Sequence, residues 1–368
     1  MLELSIRSDE QVIFTLRSLY ESYGYSHYKM TKFEEYDLYV KNKDYLLSEN
    51  IITFNDVGGR LMALKPDVTL SIIKNSDDNA GITKVYYNEN VYRVNKGSDS
   101  FKEIMQVGLE CLGNIDEYCI CEVLSLAAES LKHISDESVL CVSDLDIISD
   151  CLDGEKIDGS VKAKILSCIG EKNIHELKSI CNSEEISEKT VNNLCELINL
   201  HGKPQTVISK LISLFGETEN IKAFNRILCG ISDELSDISE VDFSVVGDTK
   251  YYNGIAFKGF VNGISKSVLS GGEYDNLMKK MKRKSKAVGF AIYLDTLEKL
   301  YDFTDDYDVD AVLLYTEGEC LKKLNEAVSK LTYNGSRVLA VKEIPEKLKY
   351  RTLYEYRNGE AVLLEANA

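Results

Sequence analysis

Long apolar runs are missing from this 368-residue chain. No stretch approaches the roughly eighteen residues that a membrane-spanning helix needs, and nothing near the start reads as the apolar core of a secretion signal. Paired metal-ligand spacings are missing too. The ten cysteines are scattered, no Cys-x-x-Cys occurs, and Cys119 and Cys121 are the only close pair. The four histidines, His27, His133, His175 and His201, stand far apart. Structural zinc and a disulfide framework are therefore not expected, no cofactor is called for, and the cysteine usage fits a reducing cytoplasm. Positive charge is also short, at 43 basic against 60 acidic residues and a net −17. A surface of that sign repels phosphate backbones. Its one basic cluster, Lys279-Lys280-Met281-Lys282-Arg283-Lys284, reads as a solvated loop after a helix, so neither nucleic acid nor membrane is an expected partner.

What is present is an ordinary globular composition, 44% hydrophobic and 28% charged, in a chain long enough for two or three domains. No internal repeat or low-complexity tract interrupts it. Ser8-Asp9-Glu10-Gln11 has the form of a capping box, and Val12, Ile13, Leu16, Leu19, Tyr20 and Tyr23 recur at helical spacing up to Gly24. Strands are expected at Ile51–Phe54 and Leu61–Leu64, around a turn at Asp56-Val57-Gly58-Gly59. Asp67 or Thr69 can cap a helix running to Lys74. Lys84–Tyr87 and Asn90–Val94 read as two strand pieces, 96–100 as a polar loop, and Phe101–Leu112 as a strand. A helix is expected over Glu122–His133 and a short buried strand over Val139–Val142. Residues 154–237 read as helices throughout, broken at Gly170, Gly202-Lys203-Pro204 and Gly216. Strands resume at Val241–Val245.

The segment from Val245 to Leu300 carries the densest pattern. Alternation over Ile255–Phe260 and Ser267–Leu269 about Asn262-Gly263 signals a hairpin, followed by the pair Gly271-Gly272 and a strand at Ala287–Ala291 running into a helix at Leu294–Leu297. Glycine pairs in a sheet allow close approach of a ligand. On a period of two, Gln106, Gly108 and Glu110 share one strand face. Such a face makes a poor core and reads either as a ligand pocket or as an exposed surface. Beyond an acidic linker at 302–310, Ala311–Tyr315, a helix over Glu319–Leu331 and Arg337–Val341 form a β-α-β unit. A last hairpin turns at Asn358-Gly359.

Three of these pieces, Arg93 in its strand, Gln106–Glu110, and the junction from Gly289 to Leu297, resemble motifs 2 and 3 of class II aminoacyl-tRNA synthetases. Tyr251-Tyr252-Asn253-Gly254 and Gly271-Gly272-Glu273-Tyr274-Asp275 resemble the histidine-specific signatures of histidyl-tRNA synthetase. Lys65-Pro66-Asp67-Val68-Thr69 is similar to that family's Arg-Pro-Glu-Gly-Thr stretch. The resemblance covers about residues 1–300. It implies an α+β body with an antiparallel sheet flanked by helices (1–302), a helical insertion (about 154–237) and a small C-terminal α/β domain (307–368).

The departures from the family pattern bear on function. Adenylation needs preorganised cations where charge builds on the α-phosphate, and losing one such contact costs about 3 to 4 kcal/mol. Arg93 keeps the motif 2 arginine, but the motif 3 position is Thr296, the histidine-specific arginine falls on Gly247, and the Gly-Gly-Arg-Tyr-Asp arginine is Glu273. The amino-acid positions remain: by resemblance Asp67, Thr69, Arg93, Gln106, Glu110, Tyr251 and Tyr252 would bind histidine, and none would be catalytic. A body that keeps this seat and loses the triphosphate grip resembles the regulatory-subunit family of ATP phosphoribosyltransferase (HisZ). That resemblance implies a non-catalytic partner of the short-form catalytic subunit (HisG), feedback inhibition by histidine, and self-pairing through 24–39. The alternative is a divergent synthetase-like ligase that activates an amino acid.

Overall fold

The computed structural model describes residues 8–42, 51–78, 81–94, 100–246, 252–299, 307–333 and 335–366. Two compact units divide the chain, one comprising 12–300 and the other 301–368 with 1–11.

Helix α1 (Ser8–Ser22) starts at Ser8 itself and stops before Gly24, whose φ of +82° suits glycine. Its buried stripe, Val12, Leu16 and Tyr20, faces the larger unit. There Tyr20 shares a 3.0 Å hydrogen bond with Ser130 and meets Phe290 edge-on. Strands β1 (Ser26–His27) and β2 (Phe33–Glu35), helix α2 (Tyr36–Lys41), then β3 (Thr53–Asn55) and β4 (Leu61–Leu64) follow, with β2, β4 and β3 forming a small antiparallel sheet. Pro66-Asp67 leads into α3 (Thr69–Asn75). Asp67 serves its first turn, accepting the Leu70 N–H at 2.9 Å.

The expected pair of strand pieces is one continuous strand, β5 (Ile82–Val94), because all thirteen residues pair with β6 (Phe101–Gly113). The expected polar loop at 96–100 lies outside the described residues except Ser100. Helix α4 (Glu117–Ile134) begins five residues before the expected start, capped by Asp116 accepting the Cys119 N–H, and leads to β7 (Ser138–Asp144) and α5 (Leu145–Asp150). The insertion is helical as expected: α6 (Gly159–Gly170), α7 (Ile174–Ser183), α8 (Glu188–Asn199), α9 (Pro204–Phe215), α10 (Glu219–Gly230) and α11 (Asp233–Ser236). Only the two-residue β8 (His201–Gly202) departs from that pattern, pairing with β9 (Ser239–Asp242). The strand expected to continue to Val245 ends at Asp242. The Asp242 carboxylate accepts the Ser244 N–H at 2.8 Å and its carbonyl accepts the Val245 N–H, closing a turn.

Strand β10 (Asn253–Val261) pairs with β11 (Leu269–Glu273), so Gly271-Gly272 lie inside the second strand rather than beyond it. Short α12 (Asp275–Lys280) precedes β12 (Lys286–Tyr293). The expected helix at Leu294–Leu297 is a 3-10 turn, Leu294–Lys299. The central sheet thus runs β1-β5-β6-β12-β11-β10-β7-β9-β8. Its middle is antiparallel, with parallel pairings only at β1–β5 and β7–β9. Helix α4 covers one face, burying Val123, Leu124, Leu126, Ala127 and Leu131.

In the smaller unit, β13 (Val309–Leu314), α13 (Leu321–Thr332) and β14 (Val338–Val341) form the β-α-β element, with β13 and β14 parallel. Strands β15 (Tyr350–Arg357) and β16 (Glu360–Ala366) close the sheet as an antiparallel hairpin about Asn358 and Gly359, both at positive φ. Leu324 and Ala327 of α13 pack on Leu313 and Tyr356. The acidic linker expected from 302 lies outside the described residues up to 306, and its last two residues belong to β13.

Candidate functional site

The face of the central sheet opposite α4 floors a cavity of about 520 Å³. Its floor follows from register. Glu110 of β6 lies opposite Gly289 of β12, which pairs with Gly272 of β11, then Ala256 of β10. A Cβ at Gly289 would overlap the Glu110 Oε2, and one at Gly108 would come 2.5 Å from the Tyr87 hydroxyl. Glycine at these positions is what lets a carboxylate and a tyrosine ring lie over the strands.

Glu110 is the electrostatic centre, only 2% exposed. Thr69 Oγ1 donates to its Oε1 at 2.6 Å and the Tyr274 hydroxyl donates to its Oε2 at 2.5 Å. Burial raises its pKa to about 8, against the lowering effect of the two hydroxyls, and the nearby Asp67 adds to the rise. Burial also raises Asp67, which the Leu70 N–H and the Arg93 charge counteract. Arg93 donates its Nε to the Pro66 carbonyl at 2.8 Å and so ties β5 to the turn that presents Asp67 and Thr69. Under that turn the buried Lys65 pairs with Glu89.

Asp67, Thr69, Arg93, Gln106, Glu110 and Tyr252 all line this one cavity, so six of the seven sequence candidates meet there. Tyr251 lies outside the described residues, as does Gly247. Tyr252 is hydrogen-bonded to Ser270, and burial pushes its phenol well up. Tyr274, Tyr87 and Lys258 line the cavity without having been singled out. Tyr274 sat within the quoted Gly271–Asp275 stretch, where its position before α12 was the available signal. Lys258 carried none, because one charged residue in an alternating strand looks like an outward-facing one. The far wall comes from the insertion, at Ala163, Ser167, Gly170 and Glu171 about the end of α6.

Two positions lacking the family's cations are otherwise engaged. Thr296 donates to the Tyr293 carbonyl at 2.6 Å inside its 3-10 turn. Glu273 accepts the Ile255 N–H at 2.8 Å, where β10 bulges between Asn253 and Ala256 and leaves that residue out of register with β11. Burial, reinforced by Asp275, Asp144 and Asp146, raises Glu273 to about 8. Among the described residues no group of three or more His, Cys, Asp or Glu could hold a metal ion, and no helix is long and apolar enough to cross a membrane.

A helix-backed, largely antiparallel sheet with an acidic seat on its open face defines a body of the class II synthetase type. The family model described as Histidyl-tRNA synthetase matches residues 1–297, and the chain belongs to that family. It is 29% identical over 345 residues to the ATP phosphoribosyltransferase regulatory subunit of Clostridium kluyveri, covering 88% of this chain and 87% of that one. Among solved structures it resembles a Bacillus halodurans protein described as an ATP phosphoribosyltransferase regulatory subunit/histidyl-tRNA synthetase, at TM-score 0.78 and 20% identity over 94% of this chain and 93% of that one. It also resembles a chain of the ATP phosphoribosyl transferase (HisG:HisZ) complex from Thermotoga maritima, at TM-score 0.61 and 19% identity, covering 79% and 98%.

Proposed function

We propose that this chain is the regulatory subunit of ATP phosphoribosyltransferase, required for the first step of histidine biosynthesis, with no aminoacylation activity of its own. The observation that carries the reading is a contrast within one cleft. The amino-acid end is fully built, with Glu110 held between Thr69 and Tyr274, while Thr296 and Glu273 stand where adenylation calls for cations. A carboxylate and a threonine cannot meet the charge that develops on an α-phosphate. The naming of the Clostridium kluyveri relative supports the same reading.

The ligand is histidine, bound at Asp67, Thr69, Gln106, Glu110 and Tyr252, with Arg93 holding the wall. The partner is the short-form catalytic subunit, as in the HisG:HisZ complex that the chain resembles in fold. Histidine that weakens the active assembly must bind the inactive one more tightly, because the coupling is reciprocal. The test is reconstitution with that catalytic subunit. Condensation of ATP with phosphoribosyl pyrophosphate should require this chain and fall on adding histidine. In a Glu110→Ala chain, assembly should persist while inhibition weakens. The second reading, a divergent ligase, is favoured by the family's own description. Histidine-dependent ATP–pyrophosphate exchange at ordinary synthetase rates would establish it and overturn the first.

A further inference from the structure

The seat is assembled from two separate sheets. Gln106 and Glu110 stand on β6 of the central sheet, whereas Asp67 and Thr69 follow β4, which belongs to the small β2-β4-β3 sheet. Ladder hydrogen bonds fix register only within a sheet, so the two halves of the seat need links of their own. Those links run to β5 and β6. Thr69 reaches Glu110 at 2.6 Å, Arg93 Nε donates to the Pro66 carbonyl at 2.8 Å, and the Tyr92 N–H donates to the Lys65 carbonyl at 2.9 Å. The Lys65 ammonium pairs with the carboxylate of Glu89 on β5, with 1% and 15% of the two side chains exposed. A buried ion pair contributes little net stability over apolar side chains of the same volume. What it imposes is position, because a cation and an anion taken out of water must meet.

We infer that Lys65 and Glu89 are positioning residues for the seat: on the reading that the cavity binds histidine, their pairing sets Asp67 and Thr69 where both can meet a ligand lying over Gln106 and Glu110. Glu89 is opposite Gln106 in the β5–β6 register, on the face of β5 that also carries the cavity residues Tyr87 and Arg93. Lys65 is therefore anchored at the register position of a seat residue. Glu89 Oε1 also accepts the Met30 N–H at 3.2 Å, and the Lys65 N–H donates to the Lys32 carbonyl at 3.1 Å, so the pair holds the segment leading to β2 as well. Neither Lys65 nor Glu89 is among the residues that line the cavity, and each acts through the turn at Pro66.

The test is calorimetric titration of the purified chain with histidine, beside thermal melting, for the wild type and three variants. Lys65→Met/Glu89→Gln removes both charges together and keeps an acceptor for the Met30 N–H, so it should melt close to the wild type while binding histidine roughly tenfold more weakly. Glu89→Asp keeps both charges but draws the carboxylate back by one methylene, and should weaken histidine by a similar factor. Lys65→Arg/Glu89→Asp, whose longer cation spans that gap again, should recover most of the affinity. Because the pair acts through the turn, the loss from Lys65→Met/Glu89→Gln should shrink to about twofold or less in a Thr69→Val background. Wild-type affinity in both Lys65→Met/Glu89→Gln and Glu89→Asp, or an undiminished loss in the Thr69→Val background, would overturn the assignment and leave the histidine seat standing. Should Lys65→Met/Glu89→Gln not fold, Glu89→Asp and its rescue decide alone. Failure of the wild type to bind histidine would overturn the seat itself.

Discussion

Replacing Glu110 with glutamine should change how stability depends on pH. The folded protein holds this carboxyl protonated up to about pH 8, whereas in the unfolded chain it ionises near 4.5. Below the unfolded value both states are protonated and the group contributes its full stabilisation. Between the two values the folded state alone keeps the proton, so stability falls as pH rises, by about 1.4 kcal/mol per unit for one group. Above pH 8 both states are ionised and the effect levels off. Glutamine keeps an acceptor for one hydroxyl, and the Thr69 or Tyr274 hydroxyl can turn to accept from its amide. Urea unfolding followed by far-ultraviolet circular dichroism, from pH 5 to 8.5, measures the slope directly. Glu110→Gln should flatten it by about 1.4 kcal/mol per unit relative to the wild type. An unchanged slope would show that Glu110 is ionised in the folded protein, and the account of its burial would be wrong.

Two further perturbations probe the same cleft. Gly289→Ala places a methyl against the Glu110 Oε2 and 2.5 Å from the Leu109 carbonyl, so it should cost about 1 to 3 kcal/mol by overpacking and abolish histidine binding, read by thermal melting and titration. Thr296→Arg alone should not restore ATP–pyrophosphate exchange, since Glu273 remains on the Ile255 N–H. Measurable exchange by that single variant would refute the proposal that the missing cations preclude adenylation.

Much of this molecule could be read from local pattern. Gln106 and Glu110 are legible from the period of two that sets them on one face of β6, while Asp67, Thr69, Arg93 and Tyr252 enter through the family resemblance, and all six line the cavity. What stayed hidden depends on pairing between distant segments. Gly289 matters only because register sets it against Glu110, 179 positions away by the numbering of that pair. Lys258 and Tyr274 enter the cavity for the same reason. The stop at Asp242 and the 3-10 turn at Leu294–Lys299 turn on single side-chain hydrogen bonds, from Ser244 N–H to Asp242 and from Thr296 to Tyr293, which periodicity does not register.

Glu273, where the family pattern has an arginine, has a structural role of its own. Here the carboxylate answers a backbone need: the β10 bulge takes Ile255 out of register with β11, and Glu273 Oε2 is the acceptor its N–H finds. Gly254, at φ +58°, has no room for a Cβ beside that same oxygen, so the turn of the bulge and the carboxylate fit one another. Tyr252 immediately precedes β10, and the side chain of its first residue, Asn253, accepts the Asn276 N–H at 3.1 Å at the start of α12. Glu273 therefore also fixes the start of the strand that follows Tyr252. An arginine here would leave the Ile255 N–H without the Glu273 acceptor, at a cost of about 1 to 3 kcal/mol, and would loosen the start of β10 beside the cavity.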